Sequence, residues 1–303
     1  MSLLTQVNKI NCGSSGTKGA GLAGCRIDWE LTNTVGVILQ PGFKFDPARD
    51  IDLEYIQELQ QQGIIDILAN AVSFVDQTPD DTIITREGSG YKKVAGKMPY
   101  EKLITFDNGV NFHKSLVSMS GGKNPDVFFM DVNNTLWFTE TKSGEFKGFS
   151  TSMFESGKYL NGDGTNAASQ TLTIQLANRY EIDQNLAWIT NDNLEFSYNE
   201  LKGVNETEIS IDPVSAGTSI VVDVLLSDGT HSVDGLLFGN FTATKNGVTS
   251  NPTVAVQNPT TKKYTLTVPA LVATDVVTVS LNGIILTTLG TLYKSNTATA
   301  VVV

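Results

Sequence analysis

Short runs of alternating apolar and polar residues fill most of the last third of the chain. Three runs fit the two-residue period of a half-buried β-strand: residues 218–226, 264–268 and 277–281. Three dipeptides tolerate the positive φ that tight hairpin turns require: Asp228-Gly229, Asn246-Gly247 and Asn282-Gly283. Strands and turns at this spacing are typical of an immunoglobulin-like β-sandwich, and residues 297–303 are expected to close it as an edge strand.

The pattern in the first two thirds is also mainly β, with one helix. Residues 127–138 predict two strands joined by a polar hairpin turn, and residues 171–176 alternate strictly. Residues 50–63 combine an acidic cap, apolar residues at helical spacing and a glycine stop. We therefore expect one main helix near residues 51–62.

Composition changes abruptly near Asn205. Residues 1–207 hold 21 of the 25 aromatic residues, all three tryptophans and every arginine, whereas the remainder is dominated by small and β-branched residues. Such a change predicts a domain boundary. We divide the chain into an arm (1–34), a β-rich assembly domain (35–200), a linker (201–207) and an immunoglobulin-like β-sandwich (208–303). The expected fold class is mainly β: a β-rich α+β body with one main helix, plus the C-terminal sandwich.

The arm is rich in glycine and nearly free of bulky residues. Five glycines between residues 12 and 25 define it: Gly13, Gly16, Gly19, Gly21 and Gly24. A segment of this composition cannot bury enough apolar surface to fold alone, so we expect it to order against a neighbour. Cys12 and Cys25 are the only cysteines, with no histidine near them for a zinc site. We favour free thiols and keep a disulfide between them as the alternative.

Charge and hydropathy argue against several functions. A net charge of -11 with only 21 Lys and Arg gives no basic footprint for tight nucleic-acid binding. The chain has neither a leader-like start nor an apolar run long enough to cross a bilayer, so we expect a soluble protein with no membrane partner. Residues 13–18 lack the lysine and hydroxyl spacing of a phosphate loop.

No pattern of catalytic or metal-binding residues is present either. His113 and His231 are the only histidines, and we expect both at the surface or in hairpins. Asp163 lies in a loop that departs from the calcium-binding pattern and predicts a plain turn. Scattered acids form no nominated pair: Asp76, Asp80, Asp81, Glu140 and Glu145. We expect no enzyme activity, cofactor, metal or small-molecule substrate.

The aromatic residues of the body allow two interpretations. Seven of them are close together in the sequence: Phe128, Phe129, Trp137, Phe138, Phe146, Phe149 and Phe154. They would suit a carbohydrate platform if exposed, but aromatic strands of this density favour a hydrophobic core.

Several stretches resemble a virion structural protein of tailed phages of Bacteroidetes-type hosts. They comprise residues 146–150, 157–159, 161–170 and 178–179. Residues 81–106 are similar to the strand, hairpin and strand of phage major tail tube proteins. The resemblance implies a virion subunit, assembled in the host cytoplasm, that forms stacked, hexameric rings and contacts other virion proteins. It implies no catalytic residues.

This resemblance supplies candidate interface residues, which are the five arm glycines together with Tyr91, Lys92 and Lys93. Residues 208–303 hold four basic and six acidic side chains, so the rest of the chain carries -9 of the net -11. An acidic channel wall would repel phosphate and let DNA pass without sticking or sequence preference. Two alternatives remain: a head protein (capsid, cement or head-fibre subunit) and a cell-surface glycan-binding module.

Overall fold

The computed structural model describes residues 2–9, 29–85, 91–163, 165, 167–287 and 290–303. The chain forms two compact units. The N-terminal unit comprises the described residues up to Ile56 together with Ile64–Leu201, and the C-terminal unit comprises Gln57–Gly63 with Lys202–Val303. β-strands dominate both, which confirms the mainly β fold class.

The helices and strands are numbered in chain order. The α-helices are α1 (Leu3–Gln6), α2 (Leu53–Gln61), α3 (Gly109–Met119) and α4 (Tyr180–Asp183), and 3-10 turns span Asn191–Asn193, Tyr198–Glu200 and Phe238–Asn240. The strands of the N-terminal unit are β1 (Asn8–Lys9), β2 (Thr32–Ile38), β3 (Lys44–Phe45), β4 (Ile65–Leu68), β5 (Ala71–Asp76), β6 (Thr82–Thr85), β7 (Lys92–Gly96), β8 (Glu101–Phe106), β9 (Asp126–Asp131), β10 (Leu136–Glu140), β11 (Phe146–Lys147), β12 (Phe149–Ser156), β13 (Gln170–Leu176) and β14 (Leu186–Ile189). Those of the C-terminal unit are β15 (Val204–Ile211), β16 (Gly217–Leu226), β17 (Phe241–Lys245), β18 (Val248–Thr249), β19 (Val254–Gln257), β20 (Tyr264–Leu271), β21 (Val276–Leu281), β22 (Ile285–Leu286), β23 (Leu292–Ser295) and β24 (Ala298–Val301).

The N-terminal unit is built on a twelve-stranded sheet. Its main path runs β1-β14-β10-β9-β12-β13-β8-β5, with β11 and β3 branching from β10, and β2 and β4 branching from β9. Strand β13 has the predicted alternation of buried and half-buried residues. The seven clustered aromatic residues are at most 1% exposed, which confirms the core interpretation and excludes a carbohydrate platform made of them.

The predicted hairpin within residues 127–138 is confirmed as β9 and β10. Asp131 organises its turn, because its Oδ1 accepts the N–H groups of Asn133 and Thr135, each at 2.9 Å. Asn134 takes a φ of 57°, a left-handed conformation that asparagine tolerates better than most residues. The other carboxylate oxygen accepts Trp137 Nε1–H at 3.0 Å, so the turn also anchors a core tryptophan.

Helix α2 confirms the helix predicted near residues 51–62. Its N-cap is Asp52, whose Oδ1 accepts the Tyr55 N–H at 2.7 Å, and Gly63 stops it with a φ of +68°. The expectation of a single main helix is wrong, because α3 is longer, with 11 residues. It packs on β12 and β13 through the buried Leu116.

In the C-terminal unit, a six-stranded sheet (β19-β20-β16-β15-β23-β22) and a four-stranded sheet (β18-β17-β21-β24) contribute to one hydrophobic cluster. Val222 and Leu266 enter it from the larger sheet, and Phe241 and Val279 from the smaller. This is the packing of a β-sandwich. The predicted strands within 218–226, 264–268 and 277–281 are confirmed, and β24 is the expected edge strand.

Two segments differ from the expected domain plan. Residues 2–9, expected to belong to the arm, pack into the N-terminal unit: Leu3 is fully buried, and Asn8 pairs with Trp188. The expected linker is half strand, because β15 already begins at Val204. In the described part of the chain, no helix has the length and apolar character needed to cross a membrane.

Candidate functional site

The predicted interface residues fall into two groups. The arm glycines Gly13, Gly16, Gly19, Gly21 and Gly24, like Cys12 and Cys25, lie outside the described residues. The other three lie together on a two-stranded ribbon formed by β6 and β7, with Tyr91 directly before β7 and Lys92 and Lys93 at its start. All three are exposed.

The β6–β7 ribbon exposes apolar side chains on both faces. Ile83 lies opposite Val94, and Ile84 opposite Lys93. Since successive side chains of a strand point to opposite faces, Ile83 and Val94 share one face while Ile84 lies on the other. Their exposed fractions are 57% for Ile83, 50% for Val94 and 60% for Ile84. A two-stranded ribbon is marginally stable alone, so covering these groups would stabilise it.

The ribbon segment also has its own charge. Residues 82–97 contain four basic side chains and one acidic one, whereas the whole chain carries -11. Apolar groups flanked by lysines therefore stand on an acidic protein, and this combination suits contact with an acidic protein surface.

One arginine holds the ends of the ribbon. Arg179 Nη1 donates to Asp81 Oδ1 at 2.6 Å and to the Met98 carbonyl oxygen at 3.1 Å. Asp81 directly precedes β6, Met98 follows β7, and the Met98 N–H itself donates to Asp81 Oδ1 at 3.0 Å. A single guanidinium thus binds the chain on both sides of the ribbon.

The same guanidinium is fixed to the body of the unit. Its Nε lies 3.5 Å from Asp183 Oδ2, and its carbon lies 4.9 Å from the centre of the Tyr100 ring. Tyr100 Oη donates to Asp183 Oδ1 at 2.5 Å, which raises the pKa of the tyrosine. The Met98 amide, and secondarily Arg179, lower the pKa of Asp81. We call these four residues, Asp81, Tyr100, Arg179 and Asp183, the root clamp.

A second exposed surface lies at strand β5, the end of the main sheet path. Its only strand partner among the described residues is β8. Val72 and Val75 on this strand are 50% and 45% exposed. Strand β2 also lies alongside β5 within the same unit.

The histidines lie in different environments. His231 is exposed in the turn after β16, with Nδ1 at hydrogen-bond distance from Asp228, as predicted for a hairpin residue. The expectation for His113 is wrong: it is half-buried on α3, 5.5 Å from the Tyr159 ring, and its Nδ1 has no hydrogen-bond partner among the described residues. Ring packing fixes it there. Among the described residues, no group of three acids, histidines or cysteines could hold a metal ion.

Three of the acids named from the sequence pair with cations. Asp76 pairs with Lys102, Asp81 with Arg179 and Glu145 with Lys44. Asp163 Oδ1 accepts the Thr165 N–H at 3.0 Å, as in a plain Asx turn. These carboxylates stabilise local structure.

Comparison of the sequence with models of protein families and with curated proteins gives no match.

The root clamp is the feature that the sequence analysis missed. Arg179 follows Asn178 and is 98 residues from Asp81 in the sequence. No local pattern predicts the contact between Arg179 and Asp81. The only available signal was that Arg179 is one of few arginines in an acidic chain, and it follows a strictly alternating strand.

Proposed function

We propose that this protein is a structural subunit of a tailed-phage virion, a tail tube protein that assembles with copies of itself into stacked, hexameric rings. The observation that carries the proposal is the β6–β7 ribbon, whose isoleucines and valine are exposed on both faces while the clustered aromatic residues of the same unit are buried. A surface that exposes apolar groups on a clamped element is suited to a partner protein.

A second copy is the partner that fits the ribbon's charge. The ribbon segment is basic and the remainder of the chain is strongly acidic, so the ribbon of one copy and the acidic surface of the next attract each other. Head-to-tail contacts of this type join two different patches, and they generate rings or filaments.

The remaining charge suits a conduit. With -9 outside residues 208–303, a channel formed by this part would repel duplex DNA and let it slide. The C-terminal unit is then an immunoglobulin-like decoration of the particle. Its aromatic residues argue against a glycan-binding platform, because such a platform needs several exposed rings. Phe241 and Tyr264 are each 1% exposed, and among the aromatic residues of this unit Phe238 is the one with a large exposed fraction, 53%.

The first test is negative-stain electron microscopy of the purified full-length chain at high concentration. We expect rings or tubes with a central hole wide enough for duplex DNA. The variant Ile83→Asp/Ile84→Asp, which places a carboxylate on each face of the ribbon, should abolish them while the tryptophan fluorescence of the N-terminal unit stays native.

The control is Val248→Asp, which introduces the same charge at a 70% exposed valine of the C-terminal unit and should leave assembly intact. Rings that survive the double substitution would exclude the ribbon as the contact. Monomers or closed shells from the unaltered chain would contradict the tube assignment and favour a head protein that needs another subunit as its template.

A further inference from the structure

A partly buried lysine lies beside two buried carboxylates in the N-terminal unit. The side chains of Lys147, Asp126 and Glu181 are 16%, 4% and 8% exposed. They come from β11, β9 and α4, and the flanking Phe146, Phe149 and Val127 are fully buried. Charged groups are rarely buried to this extent, and one ammonium faces two acids here.

The lysine ammonium lies near both carboxylates. Lys147 Nζ lies 2.9 Å from Glu181 Oε1 and 4.0 Å from Asp126 Oδ2. Nζ also donates to Ser150 Oγ at 2.6 Å and to the Gly148 carbonyl oxygen at 3.2 Å. The Gly42 N–H donates to Asp126 Oδ2 at 2.8 Å, and the Ser150 N–H donates to Glu181 Oε2 at 2.8 Å.

Backbone packing brings the lysine and the aspartate together. Ser150 pairs with Asp126 in the β12–β9 ladder, three residues after Lys147. Between them, Gly148 lies so close to β9 that a Cβ atom would stand 2.8 Å from the Val127 carbonyl oxygen. Glycine is therefore required for the approach that places Lys147 beside Asp126.

We propose that this cluster forms an intramolecular isopeptide bond between Lys147 and Asp126, with Glu181 as the catalytic proton carrier. Glu181 takes a proton from the ammonium, and the Nζ lone pair attacks Cγ of Asp126. One carboxylate oxygen leaves as water with two of the three ammonium protons, and the third proton stays on the amide nitrogen. No oxidant or cofactor is needed, and Glu181 ends in its original state.

Neighbouring groups of the fold assist the reaction. Charge that develops on Oδ2 during the attack is stabilised by the Gly42 N–H, in the manner of an oxyanion hole. The fold holds amine and carboxylate together, which replaces an encounter in solution by a step within one molecule. The product is a neutral amide between Lys147 and Asp126, and Glu181 keeps the Ser150 N–H as a hydrogen-bond donor.

The Lys102–Asp76 pair is a natural control within the same unit. Lys102 is also buried, with its side chain 7% exposed and Nζ 2.6 Å from Asp76 Oδ2. The Asp76 side chain is 55% exposed, and within the described residues Asp76 is the only acid in an ion pair with Lys102. That pair lacks both the dry environment and the proton carrier.

The test is the mass of the denatured full-length protein. We expect it to be one water lighter than the sequence requires, with trypsin unable to cleave after Lys147 and a branched peptide that joins the segments around residues 126 and 147. The Lys147→Arg variant should have the full mass calculated from its sequence, whereas the Lys102→Arg variant should still be one water lighter. Glu181→Gln should slow formation of the bond by about 100-fold or more.

An unaltered chain of full mass, freshly purified and after prolonged incubation, would show that the cluster is an ion pair only and would overturn the proposal. The same holds if the water is lost but the branched peptide maps elsewhere. The measurement does not require assembly, so its outcome is independent of the tube assignment.

Discussion

Gly36 lies inside strand β2, opposite Phe128 on β9. A Cβ atom at this position would stand 1.9 Å from the Phe128 ring, which is itself fully buried. We expect Gly36→Ala to destabilise the N-terminal unit by about 3 kcal/mol through overpacking. Urea unfolding followed by tryptophan fluorescence measures it, because all three tryptophans belong to this unit.

Gly96→Ala is the matched control. Gly96 is also a strand glycine of the N-terminal unit, but no atom of the described residues lies within 4 Å of the place that an added Cβ would occupy. We expect this substitution to change the free energy of unfolding by less than about 0.5 kcal/mol. Equal unfolding midpoints for the two variants would mean that the Phe128 ring moves aside without cost.

Asp275 is an acid of the C-terminal unit with a buried side chain. Its Oδ2 accepts the Val272 N–H at 2.8 Å and lies 2.9 Å from Lys245 Nζ, while Oδ1 accepts from Asn246 Nδ2 at 2.7 Å. The Val272 amide and then Lys245 lower its pKa to about 2 from the ordinary 3.8.

This shift predicts acid sensitivity with a definite sign. Because the pKa is lower in the folded state, the stabilisation is present above pH 3.8 and is lost as the pH falls toward about 2. Calorimetry should show the transition temperature of the C-terminal unit falling across this window. Asp275→Asn should lower that temperature at neutral pH and weaken its dependence on pH.

Asp234→Asn serves as the control, since this carboxylate is 54% exposed and pairs with Lys262 at 3.4 Å on the surface. Surface pairs contribute little, so the pH profile should match that of the unaltered chain. An unchanged profile for Asp275→Asn would refute the assigned role of Asp275.

Among the elements, the two longer helices differ in how clearly their local sequences predict them. Helix α2 has an acidic cap, buried apolar residues at helical spacing and a glycine stop, and each is a local signal. Helix α3 lacks a cap at its start: within the described residues the Asn108 side chain makes no capping bond and instead donates to the Ala69 carbonyl oxygen. Its Val110 and Val117 are half exposed, which weakens the helical pattern. Packing on β12 and β13 decides its conformation.

The root clamp gives the β6–β7 ribbon a testable dependence on Arg179. We expect Arg179→Gln to accelerate hydrogen exchange of the ribbon amides about tenfold or more, because it removes the charged donor that binds Asp81 and the Met98 carbonyl oxygen at the two ends of the ribbon. Exchange of β13, inside the sheet, should stay unchanged. Exchange followed by mass spectrometry resolves the two segments.

Arg49→Gln provides the comparison. Arg49 stacks on Tyr55 at 4.3 Å from the ring centre, in the segment before α2, and its loss should leave the ribbon amides as they are. Ribbon exchange that is equally slow in both variants would mean that backbone pairing alone holds the ribbon.

At the scale of the whole molecule, the composition changes near Asn205, and Leu201 and Lys202 belong to different compact units. Alternation and turn dipeptides predicted strands β9, β10, β13, β16, β20, β21 and β24, because both signals are local properties. The strand order, the packing of residues 2–9 and the extra length of β15 depend on partners far along the chain, as does the contact of Arg179 with Asp81. A single sequence has no signal for such pairings.

The pairing of β15 with β23 is parallel and long-range: Thr207 Oγ1 donates to the Lys294 carbonyl oxygen, 87 residues away. In contrast, every described strand of the N-terminal unit has been made once Ile189 leaves the ribosome. That unit can fold during synthesis, whereas one edge of β15 stays unpaired until almost the whole second unit has emerged from the ribosome. Premature termination within residues 227–291 would therefore release a folded first unit attached to a β15–β16 pair with one open edge, and such a product is prone to aggregate.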